Sequence, residues 1–180
     1  MKKLEIERKF LMKSLPLKKA VIDIVDIDQF YWMNSKGVWE RARTWFTQDG
    51  SKRWIHTIKK SISKGVNSED EHDITEEEYS AFVLKCRDNK DKKKDEFGRF
   101  LSKKRHIYKD DKNMTWEVDV FNSGAHIIVA EVELPKKNFK LKIPKFINEV
   151  MLHEVTQFKQ FSNRSLSDKI IEEKTALETN

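Results

Sequence analysis

The feature that most restricts how this chain folds is a set of charged residues repeating at every second position. Glu5, Glu7 and Lys9 share one face of residues 4–10, opposite Leu4, Ile6 and Phe10, with Arg8 the exception. Arg41 and Arg43 fall together on residues 38–46, with Trp39 and Trp45 on the same face, and Thr57 and Lys59 fall together on 53–60. Glu69, Glu71 and Asp73 form one row on 68–74, and Lys103 and Arg105 another on 99–108. Glu117 and Asp119 oppose Trp116, Val118 and Val120, while Glu131 and Glu133 oppose Ala130, Val132 and Leu134. A period of two is the signature of a strand with different faces. With the aromatic stretch 28–34, eight strands are predicted, enough to close an antiparallel barrel. Asn34–Gly37 and Gln48–Gly50 read as hairpin turns.

Helical signals are fewer. Thr75-Glu-Glu-Glu78 has the form of a capping box, and the helix it opens is expected to end near Arg87, burying Tyr79, Phe82, Val83 and Cys86. Pro144 is expected to start a short helix running to Met151. Apolar spacing at Leu166, Ile170 and Leu177 predicts a C-terminal helix over about 165–178. Residues 88–98 read as a solvated loop. No linker or internal repeat divides residues 1–180, so a single domain is expected, α+β in class and mainly β.

Composition excludes several function classes. One cysteine leaves no room for a disulfide framework or a multi-cysteine metal site. No apolar run is long enough for a membrane-spanning helix. The start, Met1-Lys-Lys-Leu-Glu-Ile-Glu, has no apolar signal-like segment, so a cytoplasmic location is expected. The net charge of +6 is matched by residues 85–105 alone, where ten Lys and Arg stand against four Asp and Glu. The rest is balanced, so a uniformly basic nucleic-acid binder is not the expected class.

The signs are sorted by strand. Two arrangements account for this: charged faces turned to water around an apolar core, or strands closed around a charged interior with apolar faces covered from outside. Like charges two apart on one face repel, which a purely solubilising surface would avoid. Carboxylate pairs suit a hard divalent cation, and Arg and Lys pairs suit phosphate oxygens. A barrel holding both would suit a metal–polyphosphate complex.

Glu5-Ile-Glu-Arg-Lys9 resembles the Glu-x-Glu-x-Lys motif of the CYTH superfamily, the triphosphate tunnel metalloenzymes. Arg41-Ala-Arg43, Thr57-Ile-Lys59, Glu69–Ile74, Lys103-Lys-Arg105, Trp116–Phe121 and Ala130–Pro135 resemble further elements of that family in its order. Glu154-Val-Thr156 and Phe161–Leu166 resemble its short bacterial members. The likeness spans roughly residues 3–170. It implies an eight-stranded antiparallel closed β-barrel, a tunnel with helices outside, and a triphosphate substrate with Mg2+ or Mn2+ as cofactor. Carried over by position, Glu5, Glu7, Glu131 and Glu133 would bind metal. Lys9, Arg41, Arg43, Lys59, Lys103 and Arg105 would bind phosphates. Lys59, Glu117 and Asp119 are the candidate catalytic groups, Glu117 or Asp119 orienting water or a second metal, and Lys59 a base if neighbouring cations lower its pKa. His106 and Arg164 depart from the family pattern, as does the lysine-rich insertion at 88–98.

Hydrolysis of inorganic tripolyphosphate is the leading expectation. A class IV adenylate cyclase and a thiamine triphosphatase are the enzymatic alternatives, and a polyphosphate or RNA 5′-triphosphate binding module is the other. No residues for a purine-and-ribose pocket stand out. The expected partner is a small triphosphate, with neither membrane nor nucleic acid, and the homodimers frequent in the family are not demanded by any seam. Cys86 reads as a buried helix residue, Arg8 as a structural pair, and the five tryptophans as outer-wall packing. His56, His106 and His126 lack metal spacing, with His106 a candidate for the tunnel mouth.

Overall fold

The computed structural model describes residues 3–17, 21–63, 66–88, 93, 97–122 and 127–169. The strands are β1 (Lys3–Met12), β2 (Val21–Met33), β3 (Trp39–Thr47), β4 (Lys52–Ser63), β5 (Val66–Ile74), β6 (Arg99–Lys109), β7 (Thr115–Phe121), β8 (Ile128–Glu133), β9 (Met151–Glu154) and β10 (Asp168–Lys169). The helices described are α1 (Glu76–Arg87), α2 (Lys145–Asn148) and α3 (Asn163–Leu166), with a 3-10 turn at Lys159–Phe161. Strand neighbours run β6-β2-β3-β4-β5-β1-β8-β7, and β7 pairs back onto β6. Every pairing is antiparallel, so eight strands close a ring. β9 and β10 lie off the ring, on β1 and β6.

The eight predicted strands are the eight of the ring. β2 starts at Val21, earlier than the expected 28. Its inward residues Val25 and Ile27 are apolar and sealed, so no inward charged ladder marked this half. Gly37 and Gly50 take φ of +70° and +88° at the two hairpin turns, a region glycine enters at little cost.

The charged faces point inward and the apolar faces outward, which decides between the two arrangements. The main core lies between barrel wall and chain connection. Phe10 and Met12 of β1, Tyr108 of β6, Trp116 and Val118 of β7, and Ala130 and Val132 of β8 pack beneath Leu134, Phe139, Leu141, Ile143 and Ile147. A second core forms where Phe82 and Cys86 of α1 meet Phe30 and Ala42. The Thr75 side chain accepts from Glu78 N–H and the Glu78 carboxylate accepts from Thr75 N–H at 2.8 Å, completing the capping box. α1 ends at Arg87 as expected, with Phe82 and Cys86 buried and Tyr79 and Val83 partly so. The Cys86 thiol donates to Tyr31 C=O.

Two helix expectations are corrected. α2 stops at Asn148, and Met151 opens β9 instead of closing a helix. β5 pairs with β1 only over Lys3–Ile6, so the edge beyond is open for β9, which pairs Phe10 with Glu154. Within 165–169, the described part of the helix expected over 165–178, Ser165 and Leu166 are helical, in α3, whereas Asp168 and Lys169 are strand. Arg99 Nε donates to Ser167 Oγ at 2.8 Å, and Asp168 pairs with Phe100, which turns the chain onto β6. The remainder of that expectation, most of the 88–98 loop, and His126 lie outside the described residues.

Candidate active site in the barrel

Alternation places Glu5, Glu7 and Lys9 of β1, Arg41 and Arg43 of β3, Lys59 of β4, Arg105 of β6, Glu117 of β7, and Glu131 and Glu133 of β8 on the wall of one cavity of about 570 Å3. Leu101, Phe121 and Val129, inward by strand parity, pack with Phe161 and Leu166.

The carboxylates and cations interleave. Lys9 Nζ pairs with Glu131 and, at 3.4 Å, with Glu7. Lys59 Nζ pairs with Glu5 and, at 3.4 Å, with Glu7. Glu7 and Glu133 are register partners across β1 and β8. Burial raises the Glu7 carboxyl pKa, Glu131 and Glu5 add to the rise, and Lys9 and Lys59 oppose it. Burial pushes the Lys59 ammonium down, but Glu7 and Glu5 outweigh it and hold it above the ordinary lysine range. That is opposite to the shift expected for a base, because its neighbours are carboxylates.

On the facing wall Arg41 donates to Thr57 Oγ1 at 3.1 Å and Arg43 to Glu71 at 3.1 Å. Burial, then Arg41, lowers Arg43 to about 10. The Nε donors of both arginines are buried without a hydrogen-bond partner. Such donors are rare in folded proteins and mark a place for an acceptor.

Lys103 and Asp119 do not reach the cavity. They are 1% and 0% exposed. Asp119 accepts from Lys103 at 2.5 Å and from both Nε and Nη2 of Arg105 at 2.7 and 2.8 Å. Burial, then Arg105, lowers Lys103 to about 8. Burial raises the Asp119 carboxyl, but Arg105 and Lys103 outweigh it and hold it low. Arg105 also pairs with Glu117, which does line the cavity.

Several lining residues were not among the predicted site residues. Glu69 and Glu71 were visible as a ladder but given no role. Arg53 and Thr115 share the inward parity of their strands. Asn163 had no local signal; it enters from α3 and accepts from Lys103 at 3.2 Å. Trp45, expected on the outer wall, lines the cavity. Its odd position, shared with Arg41 and Arg43, carried that information. His106 faces outward with Nδ1 buried and unbonded, so it is not at the mouth. His56 bonds to Glu40 at 3.0 Å and packs on Phe82 under α1, away from the cavity.

The donor set fits a hard divalent cation. It is all oxygen, and carboxylates crowd one another around Glu7. Among the described residues no three His, Cys, Asp or Glu side chains converge on one point. Glu5, Glu7 and Glu131 turn to Lys59 and Lys9 instead.

No protein-family model matches the sequence, and no curated protein matches it. Solved structures do share the fold. The inorganic triphosphatase NE1496 is 22% identical, with a TM-score of 0.55, over 90% of this chain and 96% of that one. A putative adenylyl cyclase from Hippeastrum, HpAC1, whose structure is described as revealing a dominant triphosphatase activity, is 18% identical over 73% and 80%, with a TM-score of 0.51. PH1819 from Pyrococcus horikoshii OT3 is 18% identical over 74% and 80%, with a TM-score of 0.54. The closed antiparallel barrel expected from the sequence is thus the fold these structures share with this chain.

Proposed function

We propose that this chain hydrolyses a linear triphosphate, inorganic tripolyphosphate first, inside the barrel and with Mg2+ or Mn2+. The observation that carries this reading is the pair of buried, unpartnered Nε donors on Arg41 and Arg43, set in a cavity that also holds Glu5, Glu7, Glu131 and Glu133. A simple anion receptor would not need that carboxylate wall. Similarity in fold to an inorganic triphosphatase and to a protein with dominant triphosphatase activity supports the same chemistry.

The roles follow from what each residue touches. Arg41 and Arg43 offer planar forks to phosphate oxygens, and Lys9, Lys59 and Arg105 add charge around them. Glu5, Glu7, Glu131 and Glu133 would hold the cation, which when bound neutralises phosphate charge and makes water more acidic. The water oxygen bonds to the terminal phosphorus as the anhydride P–O bond breaks, and pyrophosphate leaves. Lys59, held protonated, serves as a phosphate ligand. Glu117, which lines the cavity beside Arg105, is the carboxylate assigned in this reading to take the proton from water. Lys103 and Asp119 act through Arg105, fixing its fork. Among the described lining residues no purine-and-ribose pocket stands out, so cyclisation of ATP is not favoured.

The test is phosphate and cyclic AMP formation measured in parallel from tripolyphosphate and from ATP, with Mg2+, Mn2+ or EDTA. Metal-dependent phosphate release favouring tripolyphosphate is expected, and Glu133→Ala should abolish it. Cyclic AMP as the main product, or full activity in Glu133→Ala, would overturn the reading.

A further inference from the structure

We propose that Trp45 is a positioning residue that clamps Arg43 and Arg105 together on one indole, presetting two walls of the tunnel for a phosphate chain. This rests on the triphosphate reading and deepens it.

The two guanidiniums come from different strands. Arg43 lies two residues before Trp45 on β3, and its Cζ is 5.5 Å from the indole centroid. Arg105 comes from β6, and its Cζ is 5.8 Å from the same centroid. β2 separates those strands, and Val25 is the register partner of both Thr47 on β3 and Arg105 on β6. Its short buried side chain lets the indole and the guanidinium meet across β2. Both arginines are almost sealed from solvent, at 9% and 4% exposure.

Two like charges buried side by side repel; Glu71 and Asp119 each bond one of them, and Glu117, paired with Arg105, also attracts Arg43, so the indole adds to that carboxylate in holding them together. The π-face of tryptophan attracts both cations, and arginine is the usual guest. Long side chains lose rotamer freedom when they close on an anion. Holding them in place beforehand reduces that loss and improves affinity. Trp45 lines the cavity with both arginines, so the clamp sits where the anion would bind. Trp39, on the same face of β3, instead stacks with Arg164 at 5.2 Å, so the role does not belong to every inward tryptophan.

The experiment has two arms, applied to the full chain and to W45F and W45L. In the first, arginine Nε–H signals are recorded by NMR on 15N-arginine protein and assigned with R43K and R105K. Both signals should be displaced by the indole ring current in the native protein and return toward ordinary positions in W45L. Absence of that displacement in the native protein overturns the clamp, whether or not W45L folds. In the second, tripolyphosphate binding is measured by calorimetry in EDTA, without turnover. W45L should bind about tenfold more weakly, whereas W45F, which keeps a ring, should stay within about threefold. Equal losses in W45F and W45L would mean volume matters and the ring does not, and would also overturn it. A native chain with displaced arginine signals but no metal-dependent phosphate release from tripolyphosphate would sink the functional reading and leave the clamp standing.

Discussion

Lys103 Nζ and Asp119 Oδ2 meet 2.5 Å apart with neither side chain reaching solvent, and the same carboxylate accepts the Arg105 fork. One anion therefore bridges two buried cations, with Glu117 also paired to Arg105. Removing a partner from such a set leaves uncompensated charge, a loss of about 3–5 kcal/mol. Asp119→Asn should show it as a lower urea midpoint, and a midpoint equal to the native one would mean water reaches the cluster.

Acid should unfold this chain through its ion pairs. Burial raises the Glu131 carboxyl, but Lys9, Lys103 and Arg105 outweigh it and hold it well below 4.5, its unfolded value. Asp119 is likewise held below 3.8. The folded form then binds fewer protons than the unfolded form, so stability is present above these unfolded values and is lost as pH falls through the folded ones. Lys103 acts at the other end of the scale. Its folded value, about 8, lies below the unfolded 10.5, so its contribution rises across that window. Urea midpoints from pH 3 to pH 10 should fall steeply below pH 4.5. A flat acid limb would contradict the pairing.

Arg43→Lys should not restore what Arg43→Ala loses. The guanidinium keeps one nitrogen on Glu71 and leaves Nε for a second acceptor, which a single ammonium cannot do. Both variants should bind tripolyphosphate roughly 10–100-fold more weakly, the range expected for lost charge-assisted hydrogen bonds. Native-like affinity in Arg43→Lys would show that only charge counts.

Gly98 is held by contact, not by backbone angle. A Cβ there would lie 2.0 Å from the Cys86 carbonyl oxygen, at the end of α1. Neither backbone gives way cheaply, so Gly98→Ala should cost at least about 1–3 kcal/mol. At about 2–4 °C per kcal/mol for a chain of this size, a thermal melt will register it, and an unchanged melt would place the approach elsewhere.

Glu7 and Glu133 face each other across β1 and β8, and Glu7 is already disfavoured as an anion by burial and by Glu131. Mn2+ affinity measured without substrate should fall at least about tenfold in Glu7→Gln. Unchanged Mn2+ binding would remove Glu7 from the proposed metal set.

The barrel was legible because period-two charge survives folding: residue parity alone puts Glu5, Arg41, Lys59, Arg105, Glu117 and Glu131 on one face of each strand. The first half of β2 was not legible, since Val25 and Ile27 are apolar residues inside a charged tunnel. β9 and β10 escaped for a different reason. Each is short and exists because an edge of β1 or β6 is open in space. Asn163 reaches the cavity only because Ser162 caps α3 and the chain turns over the barrel end.

By itself, then, the sequence determined which residues share a face, where the hairpins turn and where α1 is capped, because these depend on neighbours a few positions apart. Tertiary structure decided which face looks inward, that Lys103 and Asp119 are sealed off while Glu117 is not, and that Trp45 meets two arginines. Those outcomes depend on barrel closure and on what covers each wall. Both are set by contacts between residues far apart in the chain, where burial and the pairing of charge compete and local pattern has no influence.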